Sequence, residues 1–320
     1  MKETNKINIL CTPDDNYIPY CGIMLTSLFE NNKNYDFDVY VICEAISKIN
    51  LNNLELLTKH YNANIHIKSV DNNTFNDCPI RVGDHVSIAA YYRLIAADIL
   101  PKRLDKILYL DCDIIINNDI TELYDHNISD YAFAAVIDEA FFYNVKYERL
   151  CYDKRYSYIN SGVILFNLDY WRKNNLAKKS IEYISKYPER IKFHDQDTLN
   201  AVLHKEMKLL PIKYNLQTGF LLTHNTQYYK NELEEIIAAA NSPIIIHFTG
   251  ASKPWYKGSR HPFCNLFLYY KSISLWKDEP LKRYKKSLYN HFIELRNKLI
   301  WILGIKKRPQ SYIINKYQRL

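Results

Sequence analysis

Glycine is scarce in this chain of 320 residues: there are 7, and no two of them form a GxG. The dinucleotide fingerprint and the P-loop both need clustered glycines so that backbone can approach phosphate closely. Both are excluded, and a nucleotide bound here would need a metal for much of the phosphate work. The 7 cysteines include no CxxC pair, which argues against structural zinc and a disulfide framework and suits a reducing cytoplasm. No apolar run approaches bilayer-spanning length; the best, LIWILGI at 299–305, is far too short. The first residues, MKETNKINIL, lack an apolar stretch of signal-peptide length, so export is not expected. Acidic residues are nearly missing from one end. Residues 271–320 hold 13 Lys/Arg against 3 Asp/Glu, while the rest of the chain holds 29 against 32. A nucleic-acid binder usually spreads its basic surface over the folded domain. A slightly acidic body with a strongly basic tail points instead to a surface anchor.

What is present is an alternation of strands and helices. INILC (7–11), FDVYVIC (37–43) and NIHIKSV (64–70) read as buried strands. Between them lie a helical stretch through Ile23, Leu25, Leu28 and Phe29, and a helix capped by Ser47 that carries Leu51, Leu54 and Leu57. Ser87–Ala97 is helical in pattern, and Leu104–Leu110 is a further strand. YAFAAVID (131–138), YINSGVILFN (158–167) and Pro243–Phe248 are later strands, with one helix expected over about 168–187. This rhythm predicts an α/β fold: a mostly parallel, Rossmann-like sheet with helices on both faces. Ligands of such sheets bind beyond the carboxyl ends of the strands.

The run ILYLDCDIII (107–116) places two acids in an otherwise buried strand. Buried charge is costly unless paired or metal-bound. In an extended backbone, Asp111 and Asp113 point to one side and Cys112 to the other. Two carboxylates together suit a hard divalent cation, Mg²⁺ or Mn²⁺. The alternative is a strand end where one acid caps a turn and the other is solvated.

Five segments in order, TPDDNY (12–17), YYRL (91–94), LYLDCD (108–113), NSGVILFN (160–167) with HDQDTLN (194–200), and HFTGASKPW (247–255), resemble glycosyltransferase family 8. These are the retaining GT-A enzymes that include lipopolysaccharide galactosyl- and glucosyltransferases and glycogenin. The resemblance covers roughly residues 7–270, which are expected to form the catalytic domain. It implies a metal bound by Asp111, Asp113 and His247, where an imidazole ligand tilts the choice from Mg²⁺ toward Mn²⁺. The metal would stabilise charge growing on the UDP leaving group. Lys253 would meet the diphosphate and Gly250 would let backbone approach it. Thr12, Asp14, Asn16 and Tyr17 would hold the uridine, and Arg93 would lie near the sugar-phosphate. Asp138, Asn160, Asp195 and Gln196 would form the sugar pocket, because hydroxyls need donors and acceptors fixed in direction. The resemblance places Asp195 and Gln196 near the anomeric carbon; no nearby Glu or Asp is an unambiguous nucleophile, which favours a front-face mechanism, with double displacement through Asp195 or Gln196 as the alternative.

Each of these residues also has a plainer reading. His247 can bond backbone at a strand end, Trp255 of KPW can pack on the core, and TPDDNY can be an Asx turn capping a helix. Arg93 can be a solvated helical arginine, and Asp195 and Asp197 can complement a helix N-terminus. Segment 76–86 is expected to help close over the donor. In the tail, Leu281, Tyr284, Leu288, Phe292, Leu295, Leu299 and Ile302 form a helical apolar stripe flanked by basic residues. Such a helix suits the headgroup region of an anionic membrane, or packing on the catalytic domain. The expected activity is transfer of glucose or galactose from a UDP-sugar to a lipopolysaccharide-type oligosaccharide or glycolipid. It would take place at the inner face of the cytoplasmic membrane, with no nucleic-acid partner. A glycogenin-like self-glucosylating enzyme and a non-catalytic metal- and nucleotide-binding scaffold are the alternatives.

Overall fold

The computed structural model describes residues 6–70, 75, 78–79, 87–251, 253–283 and 312. Among them, ten strands form two sheets. The strands are β1 (Lys6–Cys11), β2 (Asp36–Cys43), β3 (Asn64–Ser69), β4 (Lys106–Leu110), β5 (Ile114–Ile116), β6 (Phe133–Ile137), β7 (Ile159–Asn167), β8 (Met207–Leu209), β9 (Leu216–Gln217) and β10 (Ile245–His247).

The seven-stranded sheet runs β3-β2-β1-β4-β7-β6-β8. Its strands are apolar on both faces because both faces are covered. In β4, for example, Leu108 and Leu110 enter one core while Ile107 and Tyr109 enter the other. The first core takes in helix Ile18–Asn31, and the second takes in Ala96–Ile99 and helix His194–Leu203. All pairings are parallel except those of β7, which runs against both β4 and β6. β1 lies between β2 and β4, so the chain winds outward one way and then restarts on the other side. That reversal is a topological switch point, and Thr12 and Asp111 lie just beyond its two strand ends.

Two expectations need correction. The acidic pair is not within a strand. β4 ends at Leu110, and Asp111–Asp113 form a bend in which the chain leaves the large sheet for a three-stranded one, β5-β10-β9. The bend is held by Asp111 N–H donating to Gly162 O (2.8 Å) and Phe248 N–H donating to Asp113 O (2.9 Å). The expected helix over 168–187 is two, Leu168–Lys173 and Leu176–Lys186, broken where Asn175 takes a left-handed φ of 51°. Asparagine tolerates that conformation better than most residues. Residues Ile88–Ile95 form a 3₁₀ helix that passes into the α-helix Ala96–Ile99.

The boundary expected at 270 falls inside helix Cys264–Ile273. Beyond it, Trp276 is buried against Gly22, where a Cβ would meet its ring at 1.9 Å, and Lys282 N–H donates to Trp255 O at 2.9 Å. The amphipathic stripe after residue 283 and most of segment 76–86 lie outside the described residues. Among the described residues, no helix is long and apolar enough to cross a membrane.

Candidate active site

A cleft of about 790 Å³ opens at the switch point, within the size range of small-ligand sites. Thr12, Asp14 and Tyr17 line one end. Asp14 also caps the following turn by accepting from Tyr17 N–H at 3.1 Å. Asn16 is exposed and is not among the residues that line the cleft. Tyr17 meets Trp255 edge-on, and Trp255 stacks on Tyr20 at 3.8 Å, so the tryptophan of KPW packs on the core beside the cleft.

At the centre, one ligand atom each from Asp111, Asp113 and His247 lies within 4.8 Å of the others. His247 Nε2 is 3.3 Å from Asp113 Oδ1 and 3.8 Å from Asp111 Oδ2. The bend after β4 supplies the carboxylates, and the antiparallel pairing of β10 with β5, His247 opposite Ile114, supplies the imidazole. Two hard oxygens and one nitrogen fit a Mg²⁺ or Mn²⁺ ion. Burial alone would raise the Asp113 pKa, but the facing Lys253 and His247 hold it well below the usual carboxylate range. Lys253 Nζ bonds Asp113 Oδ2 and Phe248 O, so its charge lies beside the metal ligands. Gly250 has φ +74°, a backbone conformation unfavourable for residues with a Cβ.

Arg93 is not a solvated arginine. It is 5% exposed and touches Asp111 Oδ1 (3.0 Å), Asp195 Oδ2 (3.3 Å) and Ser161 O (2.6 Å), with Tyr109 beneath its guanidinium. Burial, with the charge of Asp111 adding to it, pushes Asp195 up to about 6 even though Arg93 opposes the shift. The two acids at the start of helix His194–Leu203 divide their work. Asp195 turns to Arg93, while Asp197 is fully buried, paired with Arg149, and accepts from the backbone N–H of Lys192 and Phe193.

The floor of the cleft is one hydrogen-bonded set. Gln196 Oε1 accepts from Ser161 N–H (3.1 Å) and Asn160 Nδ2 (3.2 Å), and Gln196 Nε2 donates to Asp138 Oδ2 (3.1 Å). The second oxygen of Asp138 is paired with the buried Lys146. Beyond this floor the cleft is lined by Tyr143, Val145 and Phe193, all exposed. Asp138, Asn160, Asp195 and Gln196 are thus brought together with the metal ligands.

Lys146, Tyr109, Gly162 and Asn215 were not singled out by sequence. Gly162, inside the NSGVILFN segment, was the most accessible of them, because a Cβ there would strike His247 Cε1 at 2.2 Å.

A family model for glycosyl transferase family 8 matches residues 8–258. The chain is 30% identical over 280 residues to general stress protein A of Bacillus subtilis, covering 86% of this chain and 96% of that protein. It is 32% identical over 298 residues to a lipopolysaccharide 1,2-glucosyltransferase of Escherichia coli, covering 91% and 84%. A lipopolysaccharide 1,3-galactosyltransferase of Salmonella typhimurium is 29% identical over 287 residues, with 86% and 80% covered. Among solved structures, the galactosyltransferase LgtC in complex with donor and acceptor sugar analogs shares the fold. It has a TM-score of 0.75 and 23% identity, with 84% of this chain and 96% of that one covered.

Proposed function

The chain belongs to glycosyl transferase family 8, and on that premise we propose that it is a retaining hexosyltransferase. It would transfer glucose or galactose from a UDP-sugar to a lipopolysaccharide-type oligosaccharide acceptor. The observation that carries the reading is the Asp111–Asp113–His247 cluster, set at the switch point with Lys253 beside it. The acceptor class rests on the names of relatives about 30% identical to this chain over most of its length.

Asp111, Asp113 and His247 would hold a divalent cation, Mn²⁺ by preference, and that cation would supply electrostatic stabilisation of the charge developing on the departing diphosphate. Lys253 adds a second positive charge on the same side. Thr12, Asp14 and Tyr17 bind the uridine end. Arg93 fixes Asp111 and Asp195 relative to one another, so the metal side and the sugar side move as a unit. Asp138, Asn160 and Gln196 present directed donors and acceptors to the hexose hydroxyls.

Gln196 Oε1 already accepts two hydrogen bonds, which lowers its nucleophilicity. That favours the front-face route, in which the departing phosphate oxygen takes the proton of the acceptor hydroxyl, over double displacement through Gln196. The basic 271–320 segment would hold the enzyme at the anionic inner face of the membrane, where a lipid-linked acceptor is presented.

The test is NMR of the product linkage. Retention predicts an α-linked hexose from an α-linked UDP-sugar, and a β-linked product would contradict the mechanism.

A further inference from the structure

We propose that Asn215 is the positioning residue that fixes His247 in the tautomer able to ligate a metal, an inference that rests on the metal-dependent reading above. A backbone amide N–H can only donate. Gly162 N–H donates to Asn160 Oδ1 at 3.0 Å, and this identifies the oxygen end of that side chain. Asn215 Nδ2 lies 2.9 Å from the same oxygen, and only a donor can face it. The other end of Asn215 is therefore its oxygen, and that oxygen is 2.9 Å from His247 Nδ1. An oxygen there requires the hydrogen on Nδ1. In the neutral ring the lone pair is then on Nε2, the nitrogen facing Asp111 and Asp113.

Burial makes the arrangement rigid. Asn215 is 0% exposed, His247 4% and Asn160 7%. Flipping the Asn215 amide would set its oxygen against Asn160 Oδ1, a buried acceptor–acceptor contact in place of a hydrogen bond, so the amide is held with its oxygen toward Nδ1. Register supplies the proximity. β9 follows Asn215 directly and pairs with β10, Gln217 opposite His247. The chain of bonds also continues past the metal site, because Asn160 Nδ2 reaches Gln196 Oε1. The orientation of the metal ligand and that of the sugar-binding floor are thereby set by the same two asparagines.

The experiment combines two readouts that need no turnover. Long-range ¹⁵N–¹H NMR of metal-free wild type, at a pH where His247 is neutral, is expected to place its proton on Nδ1. Mn²⁺ titration followed by EPR, without nucleotide, is expected to show affinity reduced about 10–100-fold in Asn215→Leu, the usual cost of losing an outer partner of a ligating histidine. Asn215→Asp, which keeps an oxygen on Nδ1 but cannot donate to Asn160, is expected to recover most of that affinity. A structural role alone predicts that both variants weaken together, in step with their melting temperatures.

A proton on Nε2 in the neutral wild type overturns the proposal. So does a folded Asn215→Leu that binds Mn²⁺ normally, or an Asn215→Asp no better than Asn215→Leu. If wild type binds no Mn²⁺, the metal reading fails, and the NMR result still decides the tautomer.

Discussion

Replacing Gly162 by alanine drives a methyl group into the metal cluster. Its Cβ would lie 2.2 Å from His247 Cε1 and 2.8 Å from Asp111 Oδ2. Non-bonded carbons settle at about 3.5–4.0 Å, so the imidazole must retreat by roughly 1.3 Å. The ring has little freedom to do so. His247 is on β10, between β5 and β9, and its Nδ1 is tied to Asn215. Metal sites hold their ligand distances to about 0.2 Å, so a shift of this size removes the imidazole from the shell. Overpacking should cost about 1–3 kcal/mol of stability. Mn²⁺ affinity by EPR titration should fall at least as far as on loss of an outer partner of a ligating histidine, about 10–100-fold. Gly250→Ala is the control, since a Cβ there meets nothing within 4 Å. Its cost is the left-handed backbone strain of about 1–2 kcal/mol. A Gly162→Ala protein that binds Mn²⁺ and melts like wild type would show that the methyl group does not reach His247.

Three further outcomes follow from the buried charges. Arg93→Met leaves Asp195 buried without its ion-pair partner, and thermal unfolding should show a loss of about 3–5 kcal/mol; an unchanged melting temperature would contradict the assigned pairing. Asp195, pushed up to about 6 in the fold, holds its proton more tightly folded than unfolded, so its contribution to stability falls as pH rises from about 4 to about 6. The stability of wild type relative to Asp195→Asn should fall across that window, and a flat difference would argue against the shift. Arg149→Met strands the fully buried Asp197 and should lower the melting temperature, and an unchanged melting temperature would contradict that pairing.

The alternating strands and helices of the first half and their mostly parallel sheet were legible because apolar strands separated by amphipathic helices have few other solutions. The direction of β7 was not, since an apolar run such as INSGVILFN reads the same either way. The acidic pair was found for a partly wrong reason. Its carboxylates converge through a bend between two sheets, not through strand alternation. Arg93 was located by motif, but its burial could not be read from a sequence that looked like an amphipathic helix. Lys146 and Asn215 left no local signal. One is defined by Asp138 across a turn that periodicity does not reveal, and the other by the pairing of β9 with β10, which brings Asn215 to a histidine distant in sequence.

The proposed transfer depends on a metal held by Asp111, Asp113 and His247. The most direct measurement is UDP release from UDP-glucose and UDP-galactose, with Mn²⁺ and with excess EDTA, in wild type and Asp113→Ala. Hydrolysis of one of the two UDP-sugars is expected to require both Mn²⁺ and Asp113. Release that survives EDTA or the Asp113→Ala change would contradict it, as would wild type showing neither turnover nor Mn²⁺-dependent UDP binding.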